Sequence, residues 1–245
     1  MLYSDLETPG GESVKTAIVS GGAGGIGSAI CRRFQNEGYH VIIGYHKSRE
    51  KAEALAIELG GTAMELDVTS ADSVENFARK VGRADVLIHN AGIAGQKLFT
   101  EITEQEWDEM FSVHAKGAFL LCRAFLPGMI REKSGSIVTV ASMWGQVGAS
   151  CEVHYSAAKA ALIGMTRALA KEVGPSGIRV NCVSPGVIDT PMMAGFTEED
   201  KKALAEETPL GRLGTPQDVA DAVFYAATAE FLTGQVIAPN GGFII

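Results

Sequence analysis

The chain has 245 residues, of which 46% are hydrophobic, so it is long enough to bury the core of one large α/β domain. Its formal net charge at pH 7 is −8, with 29 acidic against 21 basic side chains. This balance argues against a nucleic acid or an anionic membrane as the main partner, because both select basic protein faces. It does not exclude a local basic pocket.

A short polar stretch precedes a long run of alternating strand and helix patterns. Residues 1–13 include Pro9-Gly10-Gly11 and are predicted to be a flexible N-terminal extension. From residue 14 to residue 245 we find no linker, internal repeat or shift in composition. We therefore expect a single domain over residues 14–245.

A strand, a glycine-rich turn and a helix follow one another at the start of this domain. The apolar run Thr16–Ser20 predicts a buried strand, Gly21–Gly27 follows directly, and residues 28–34 have helical spacing. Glycine lets a backbone approach a pyrophosphate, and the helix N-terminus offers free N–H groups and positive potential. The order predicts a phosphate-binding unit. The alternative is a glycine-rich turn that holds no ligand.

The same alternation continues to the end of the chain. Apolar runs predict further strands at residues 39–45, 62–66, 85–89, 135–140, 178–183 and 235–238. Helical patterns lie between them at residues 49–59, 70–81 and 155–173, and two long helices fill most of 103–133. Thr103, with Glu106 three residues later, has the capping-box pattern of a helix start. Continuous apolar strands that alternate with helices predict a doubly wound, Rossmann-type α/β fold of three layers.

Tyr155 and Lys159 are four residues apart in a predicted helix, so their side chains lie on one face. A cation beside a phenol favours the ionised form, and we expect it to lower the tyrosine pKa from about 10. Such a tyrosine is suited to donate a proton to a carbonyl oxygen. Ser142, after a neighbouring predicted strand, would hold that oxygen. By itself a Tyr–Lys pair at this spacing is also typical of a solvated helix face.

Polar residues and glycines follow the predicted strands at the end where ligands bind in such sheets. They form the motifs Ser20-Gly21-x-x-x-Gly25-Ile26-Gly27, Asp67-Val68, Asn90-Ala91-Gly92, Ser142 and Pro185-Gly186, to which the helix motif Tyr155-x-x-x-Lys159 is added. Their order and spacing resemble the short-chain dehydrogenase/reductase family from about residue 15 to the C-terminus. The resemblance implies an enzyme that transfers a hydride between a nicotinamide dinucleotide and a carbonyl or alcohol group.

The family resemblance also implies a role for each motif. Lys159 would hydrogen-bond the nicotinamide ribose, Tyr155 would protonate the carbonyl oxygen, and Ser142 would orient it. Asp67 would accept from the adenine amino group, or else cap a helix, and Asn90 would steady the sheet centre. The implied cofactor-binding residues are Ser20, Gly21, Ala23, Gly24, Gly25, Ile26, Gly27, Tyr45, His46, Lys47, Asp67, Val68, Asn90, Ala91, Gly92, Tyr155, Lys159, Pro185, Gly186, Ile188 and Thr190.

The segment after residue 185 is similar to the one that positions the nicotinamide in the family. The Ile188 backbone and the Thr190 hydroxyl would touch its carboxamide. Residues 192–208 are polar and helix-forming, and they are predicted to be a mobile lid over the substrate.

The end of the second predicted strand bears on the choice of cofactor. A carboxylate there binds the adenosine ribose of NAD and repels a 2′-phosphate. This chain has Tyr45-His46-Lys47-Ser48-Arg49 instead, which favours NADP(H) and leaves NAD(H) as the alternative. Against this, Gly24 stands where phosphate-selective relatives often have a basic residue. Lys47 and Arg49 would otherwise simply begin a solvated helix.

One position departs from the family pattern. Twenty-four residues beyond Asn90 the family has an asparagine that supports a water chain feeding protons to the lysine, whereas this chain has His114. A neutral imidazole both donates and accepts hydrogen bonds and titrates near physiological pH. His114 is therefore a candidate catalytic residue in that relay. The alternative is that the relay is rerouted and His114 only packs.

The substrate is less determined by sequence. The general pattern resembles 3-oxoacyl-[acyl-carrier-protein] reductases, and the loop at 142–154 resembles elongation factor P 5-aminopentanone reductases. In that loop Glu152 would pair with a cationic amine near the ketone, and Trp144 would stack on an aliphatic arm. The alternative is that Glu152 faces water and Trp144 fills the pocket wall. An acidic acyl carrier protein would require a basic rim, yet the basic candidates are dispersed: Lys97, Arg131, Lys133 and Arg212.

Cysteine usage and hydropathy bear on location and partners. Four scattered cysteines without a Cys-x-x-Cys predict reduced thiols, with neither a disulfide nor a metal site: Cys31, Cys122, Cys151 and Cys182. No apolar run reaches membrane-spanning length, and the N-terminus lacks a basic-then-apolar segment. A cytoplasmic protein is expected. The resemblance and the apolar ending Phe243-Ile244-Ile245 imply a homodimer or homotetramer.

A function of a different class remains open at this stage. The chain would then be a catalytically silent dinucleotide sensor or scaffold, because a fold does not determine its function. The intact trio of Ser142, Tyr155 and Lys159 argues against it.

Overall fold

The computed structural model describes residues 14–245, so the predicted extension at 1–13 lies outside the described residues. Within this range seven parallel strands form one sheet in the order β3-β2-β1-β4-β5-β6-β7. The strands are β1 (Thr16–Ser20), β2 (His40–Tyr45), β3 (Thr62–Glu65), β4 (Val86–His89), β5 (Gly135–Val140), β6 (Ile178–Val183) and β7 (Val236–Ile237). The predicted Rossmann-type α/β fold is confirmed.

Helices connect the strands and cover both faces of the sheet. In the described part of the chain they are α1 (Gly25–Asn36), α2 (Arg49–Leu59), α3 (Ala71–Val81), α4 (Glu104–Phe111), α5 (Gly117–Glu132), α6 (Trp144–Val147), α7 (Val153–Val173), α8 (Glu198–Glu207) and α9 (Pro216–Thr228). None of the helices in this range is both long and apolar enough to span a bilayer.

The central strand β1 shows why both faces must be covered. Successive side chains of a strand point to opposite faces. Ala17 and Val19 therefore pack with Phe34 of α1 and with α9 on one face, while Ile18 packs with Phe77 of α3 and with α5 on the other. All five residues of β1 are buried. Burying a large apolar side chain contributes roughly 1.5–3 kcal/mol, so the two layers hold the sheet between them.

Capping residues set where several helices begin. The capping box predicted for α4 is confirmed: the Glu106 amide donates to Thr103 Oγ1 at 3.2 Å, and the Thr103 amide donates to the Glu106 carboxylate at 2.8 Å. The same pattern begins α9, where Thr215 caps and Asp218 bonds back. We did not predict α9 from sequence, although its Thr-Pro-x-Asp start is a recognisable signal.

Several predicted boundaries are wrong by one or two residues. The strand predicted from Asp85 begins at Val86, and the Asp85 carboxylate accepts from the Thr16 amide at 2.8 Å. The helix predicted from Tyr155 begins at Val153. Smaller shifts of one or two residues affect β2, β3, α3 and β7.

The two long helices predicted within 103–133 form one helical run with a defect in its middle. Between α4 and α5 the residues Ser112–Lys116 adopt a π-helical turn. Such turns are rare and frequently occur at functional sites. This one contains His114 and faces the carboxyl ends of the strands.

Candidate active site

The carboxyl ends of β1 to β6 open into a cleft of about 1240 Å³. All but one of the residues predicted to bind cofactor or substrate line it. The exception is Ser20, whose side chain is fully buried and whose hydroxyl accepts from the amides of Asn90 and Ala91, each at 3.1 Å. The Ser20 hydroxyl therefore supports the loop after β4 from inside the protein, and a contact of Ser20 with a cofactor stays a prediction.

The glycine loop brings backbone close to backbone at the start of α1. Gly21 has a φ of +63°, and a Cβ on Gly27 would lie only 2.2 Å from the Gly21 carbonyl oxygen. Helix α1 begins after Gly24 without a side-chain cap, and Gly24, Gly25 and Ile26 line the cleft. A helix N-terminus left uncapped beside a cleft suits a phosphate group. The residues present therefore fit the diphosphate of a dinucleotide.

Asn90 ties the glycine loop to the middle of the sheet. Its side-chain amide donates to the carbonyl oxygens of Ser20 at 3.3 Å and Gly21 at 3.1 Å. This is the structural part of the role expected for it. The bonds hold β4 and the loop after β1 together at the floor of the cleft.

The far end of the cleft follows β2 and β3. The Asp67 carboxylate accepts from the Thr69 amide at 2.9 Å and from its hydroxyl at 2.7 Å. Burial raises the pKa of Asp67, but these bonds and the nearby His46 and Lys116 side chains outweigh it, so the net shift is downward. Asp67 does not cap α3, because Ser70 does. The helix-cap interpretation is therefore wrong.

Two basic residues near this end differ in what they face. Lys47 lines the cleft, together with His46, whose Nε2 lies 3.9 Å from an Asp67 oxygen. Arg49 pairs with Glu53 at 2.7 Å on the surface of α2. Of Lys47 and Arg49, only Lys47 is placed to meet a ligand in the cleft.

The reactive trio lies at the middle of the cleft. Lys159 of α7 is buried and donates from Nζ to the Val140 carbonyl at 2.8 Å, and its Nζ lies 5.5 Å from the Tyr155 ring centroid. Ser142 follows β5 and hydrogen-bonds the Tyr155 side chain. The three side chains come from two adjacent elements that meet where β5 ends.

Burial is the main cause of the pKa shifts of Tyr155 and Lys159. It raises the pKa of Tyr155 to about 12, against which the bond from Ser142 acts only in part. Burial also lowers the pKa of Lys159 to about 8. The expectation that Lys159 lowers the Tyr155 pKa is therefore wrong here, because desolvation dominates. The phenol is protonated at neutral pH, the state that a proton donor requires.

His114 is fully buried and lines the same cleft. Its Nε2 lies 2.9 Å from the Ile93 carbonyl oxygen, and its ring meets Tyr155 edge to face with centroids 5.7 Å apart. Burial, with Lys159 nearby, holds its pKa well below the ordinary value. The expectation that His114 titrates near physiological pH is wrong for this reason.

The end of the cleft nearest Tyr155 carries acidic side chains. Glu152 lines it and accepts from Gln96 Nε2 at 3.2 Å, so the carboxylate does not simply face bulk water. Trp144 lines it too and packs edge to face on Phe243, with centroids 5.8 Å apart. We did not predict Glu109 or Lys116, which also line the cleft. Both lie in the same helical run as His114, so their spacing from His114 could have predicted that they face the cleft.

The segment predicted as a lid borders the cleft. Pro191–Met193 forms a short 3₁₀ turn and Glu198–Glu207 forms α8. Met192, Phe196 and Leu204 contribute to the cleft wall. The segment is helical and polar outside, as predicted, and presents apolar side chains inward.

Comparison with known proteins identifies the class of this fold and site. The sequence profile described as Enoyl-(Acyl carrier protein) reductase matches residues 21–244. A crystal structure of a short-chain dehydrogenase/reductase from Brucella melitensis, titled glucose/ribitol dehydrogenase, is 36% identical with a TM-score of 0.88, covering 94% of this chain and 97% of that one. The chain belongs to the short-chain dehydrogenase/reductase family and is an NAD(P)-dependent oxidoreductase.

Two curated relatives are of similar length. The uncharacterized oxidoreductase YmfI of Bacillus subtilis is 39% identical over 238 residues, covering 94% of this chain and 98% of the relative. The 3-oxoacyl-[acyl-carrier-protein] reductase FabG of Thermotoga maritima is 39% identical over 242 residues, with the same coverage of 94% and 98%. The similarity thus extends over nearly the whole of each chain.

Proposed function

We propose that this protein reduces a ketone to a secondary alcohol with NADPH, and that it acts as a 3-oxoacyl-[acyl-carrier-protein] reductase. The observation that carries the proposal is the meeting of Ser142, Tyr155 and Lys159 in a cleft that also contains an uncapped helix N-terminus. A reduced nicotinamide supplies a hydride when it is bound there. Relatives named as 3-oxoacyl-[acyl-carrier-protein] reductases support the choice of substrate.

The proposed mechanism gives each side chain one task. Tyr155, protonated at neutral pH, donates its phenolic proton to the substrate oxygen. Ser142, which bonds Tyr155, orients that oxygen. Lys159, whose Nζ lies 5.5 Å from the Tyr155 ring centroid, would hydrogen-bond the nicotinamide ribose beside the proton donor. General acid catalysis of this kind contributes about 10²–10⁴-fold to the rate.

The preference for NADPH rests on the charges at the far end of the cleft. His46, Lys47 and Lys116 line it, and the residues that directly follow β2 include no carboxylate. Two lysines beside an imidazole suit a 2′-phosphate, whereas an acidic residue there would select NAD. Gly24 of the glycine loop adds no charge. Lys47 is therefore the residue that we expect to set the preference.

The direct test is a panel of ketones and 3-oxoacyl thioesters, with NADPH and NADH compared at equal concentration. We expect NADPH to be consumed, and Tyr155→Phe to lower kcat/KM by about 10²–10⁴-fold. Undiminished consumption in that variant would overturn the mechanism. A protein that binds NADPH tightly and reduces nothing in the panel would instead be a silent sensor or scaffold.

A second substrate has one observation in its favour. Glu109 and Glu152 line the cleft, and the negative charge of Glu152 is close enough to raise the pKa of Tyr155. Carboxylates here suit a ketone that carries a cationic amine, as in the 5-aminopentanone modification of elongation factor P. They do not suit an acidic acyl carrier protein. Trp144, in the same wall, would stack on the aliphatic arm.

The two substrates are separated by comparing an acetoacetyl thioester with a protein that carries an amino-ketone on lysine. If the amino-ketone is the substrate, Glu152→Gln should lower its kcat/KM by about tenfold, ~1.4 kcal/mol, and leave the thioester unchanged. Glu172→Gln, at an exposed position near the end of α7, is the matched control. Equal rates for Glu152→Gln and the parent on the amino-ketone would remove the charge pairing by Glu152, and a parent that is inactive on the amino-ketone would remove this candidate.

Assembly and location complete the proposal. We propose a homodimer or homotetramer, supported by the fully exposed apolar side chains of Phe231 and Ile245. The cysteines in the described range are free, which supports a reducing compartment such as the cytoplasm. Light scattering of the purified chain tests the assembly, and a monomer at micromolar concentration would contradict it.

A further inference from the structure

A chain of hydrogen bonds links the glycine loop to the π-helical turn. The Ser20 hydroxyl oxygen accepts from two amides, so its proton is free to bond His89 Nδ1 at 3.2 Å. His89 Nε2 then donates to the His114 carbonyl oxygen at 3.0 Å. A carbonyl oxygen only accepts, so Nε2 of His89 carries the proton and Nδ1 accepts from the Ser20 hydroxyl. The backbone of His114 is thereby tied to the end of β1.

The side chain of His114 is tied on the other side. Its Nε2 lies 2.9 Å from the Ile93 carbonyl oxygen and 3.3 Å from the Ile93 amide, and the shorter contact places the proton on Nε2. A Cβ on Gly92 would lie 2.6 Å from Cε1 of the ring. The imidazole is therefore confined by the loop after β4, with its edge-to-face contact on Tyr155 on another side.

Neither histidine is suited to carry charge. Both are at most 1% exposed, and burial lowers the pKa of His89 to about 3 and that of His114 well below 6.5. Lys159 adds to both shifts, because a second cation nearby disfavours protonation. Nδ1 of His114 has no hydrogen-bond partner among residues 14–245.

We infer that His89 and His114 form an uncharged brace that holds the Tyr155 ring in place, so that His114 is a positioning residue. The brace rests on the proposed function only in that Tyr155 is the proton donor. It joins the donor to the loop that receives the cofactor phosphates.

The position of Tyr155 can be measured without turnover. The chain has five tyrosines, so fluorotyrosine labelling gives a simple ¹⁹F NMR spectrum in which Tyr155→Phe identifies the Tyr155 signal. We expect His114→Asn and His89→Leu to move or broaden that signal. His89→Gln should leave it in place, because the glutamine amide can donate as Nε2 does. His40→Gln, on β2, is the control and should leave the Tyr155 signal unchanged.

Kinetics with the best ketone supply the second measurement. We expect His114→Asn to lower kcat by about three- to tenfold, and His89→Leu by about threefold, with little change in the KM for NADPH. The double variant should be little worse than His114→Asn alone, since both changes release the same ring. The pH profile of His114→Asn should keep every ionisation of the parent enzyme.

Three results would overturn the inference. The first is an unchanged Tyr155 signal in both His89→Leu and His114→Asn, when both variants are folded and melt near the parent temperature. His89→Gln could fail to behave better than His89→Leu. The pH profile could lose a step in His114→Asn, which would make His114 a titrating relay. If the parent reduces no ketone, the proposed function fails, and the NMR arm still decides on the brace.

Discussion

Lys159 donates a hydrogen bond to the carbonyl oxygen of Val140, 2.8 Å away, and so fastens α7 to the last residue of β5. The bond holds the ammonium under the Tyr155 ring, in a place where Lys159 is only 4% exposed. A buried ammonium with one carbonyl partner is costly, because burial disfavours its charged form. Burial of the charged Lys159 side chain therefore destabilises the folded chain.

That cost should appear as a pH dependence of stability. Burial lowers the pKa of Lys159 from 10.5 to about 8, so the folded chain releases its proton before the unfolded chain does. The destabilisation is complete below about pH 8 and vanishes above about 10.5, so the free energy of unfolding rises with pH between them. Lys159→Met should remove up to about 3 kcal/mol of this rise, measured by urea unfolding at pH 7.5, 9 and 10.5. A difference between parent and variant that is constant with pH would contradict the prediction.

Acid should act on the chain through its buried histidines. Burial lowers the pKa of His89 to about 3, so below pH 6.5 the unfolded chain binds a proton that the folded chain does not. Stability is full above that pH and falls below it, by about 1.4 kcal/mol per pH unit for each such histidine. His89→Gln should reduce the loss between pH 6 and pH 5 by about 1 kcal/mol. Equal slopes in urea unfolding would show that His89 takes up its proton without loss of the fold.

Lys47 should control the choice between the two nicotinamide cofactors. It lines the cleft after β2, where a carboxylate would repel a 2′-phosphate. Lys47→Glu should lower kcat/KM for NADPH by about tenfold or more, at least ~1.4 kcal/mol, with NADH changed by less than about threefold. Lys51→Glu, an exposed change in α2, carries the same charge difference away from the cleft. Equal losses of kcat/KM for NADPH in the two variants would show that the net charge of the protein, and not Lys47 itself, sets the preference.

The glycine loop should tolerate no side chain at Gly27. A Cβ there would lie 2.2 Å from the Gly21 carbonyl oxygen and 2.8 Å from the Gly22 Cα, and backbone cannot move aside cheaply. Gly27→Ala should cost about 1–3 kcal/mol of stability and raise the KM for NADPH. Gly164→Ala is the matched control, because Gly164 lies in α7 with open space around it. It should stabilise the chain by up to about 1 kcal/mol, read as a rise in Tm.

Much of the architecture could be predicted from local patterns. The apolar runs of β1 and β5 and the capping box at Thr103 depend on neighbours in the chain, so periodicity and residue type suffice. The four-residue spacing of Tyr155 and Lys159 belongs to the same kind of information, since a helix puts them on one face. Helix α9 was missed although its capping box at Thr215 is a local signal of the same kind, and its apolar face packs on Phe34 of α1.

The chain by itself determined the order of strands and helices, the glycine loop and the residues available for proton transfer. Only the tertiary structure decided how those residues behave: that Tyr155 keeps its proton, that His114 is neutral, and that Ser20 lies behind the cleft. Hydrogen bonds of the helix and strand patterns follow from nearby residues. Desolvation sums over every atom that surrounds a group, and those atoms come from distant parts of the chain.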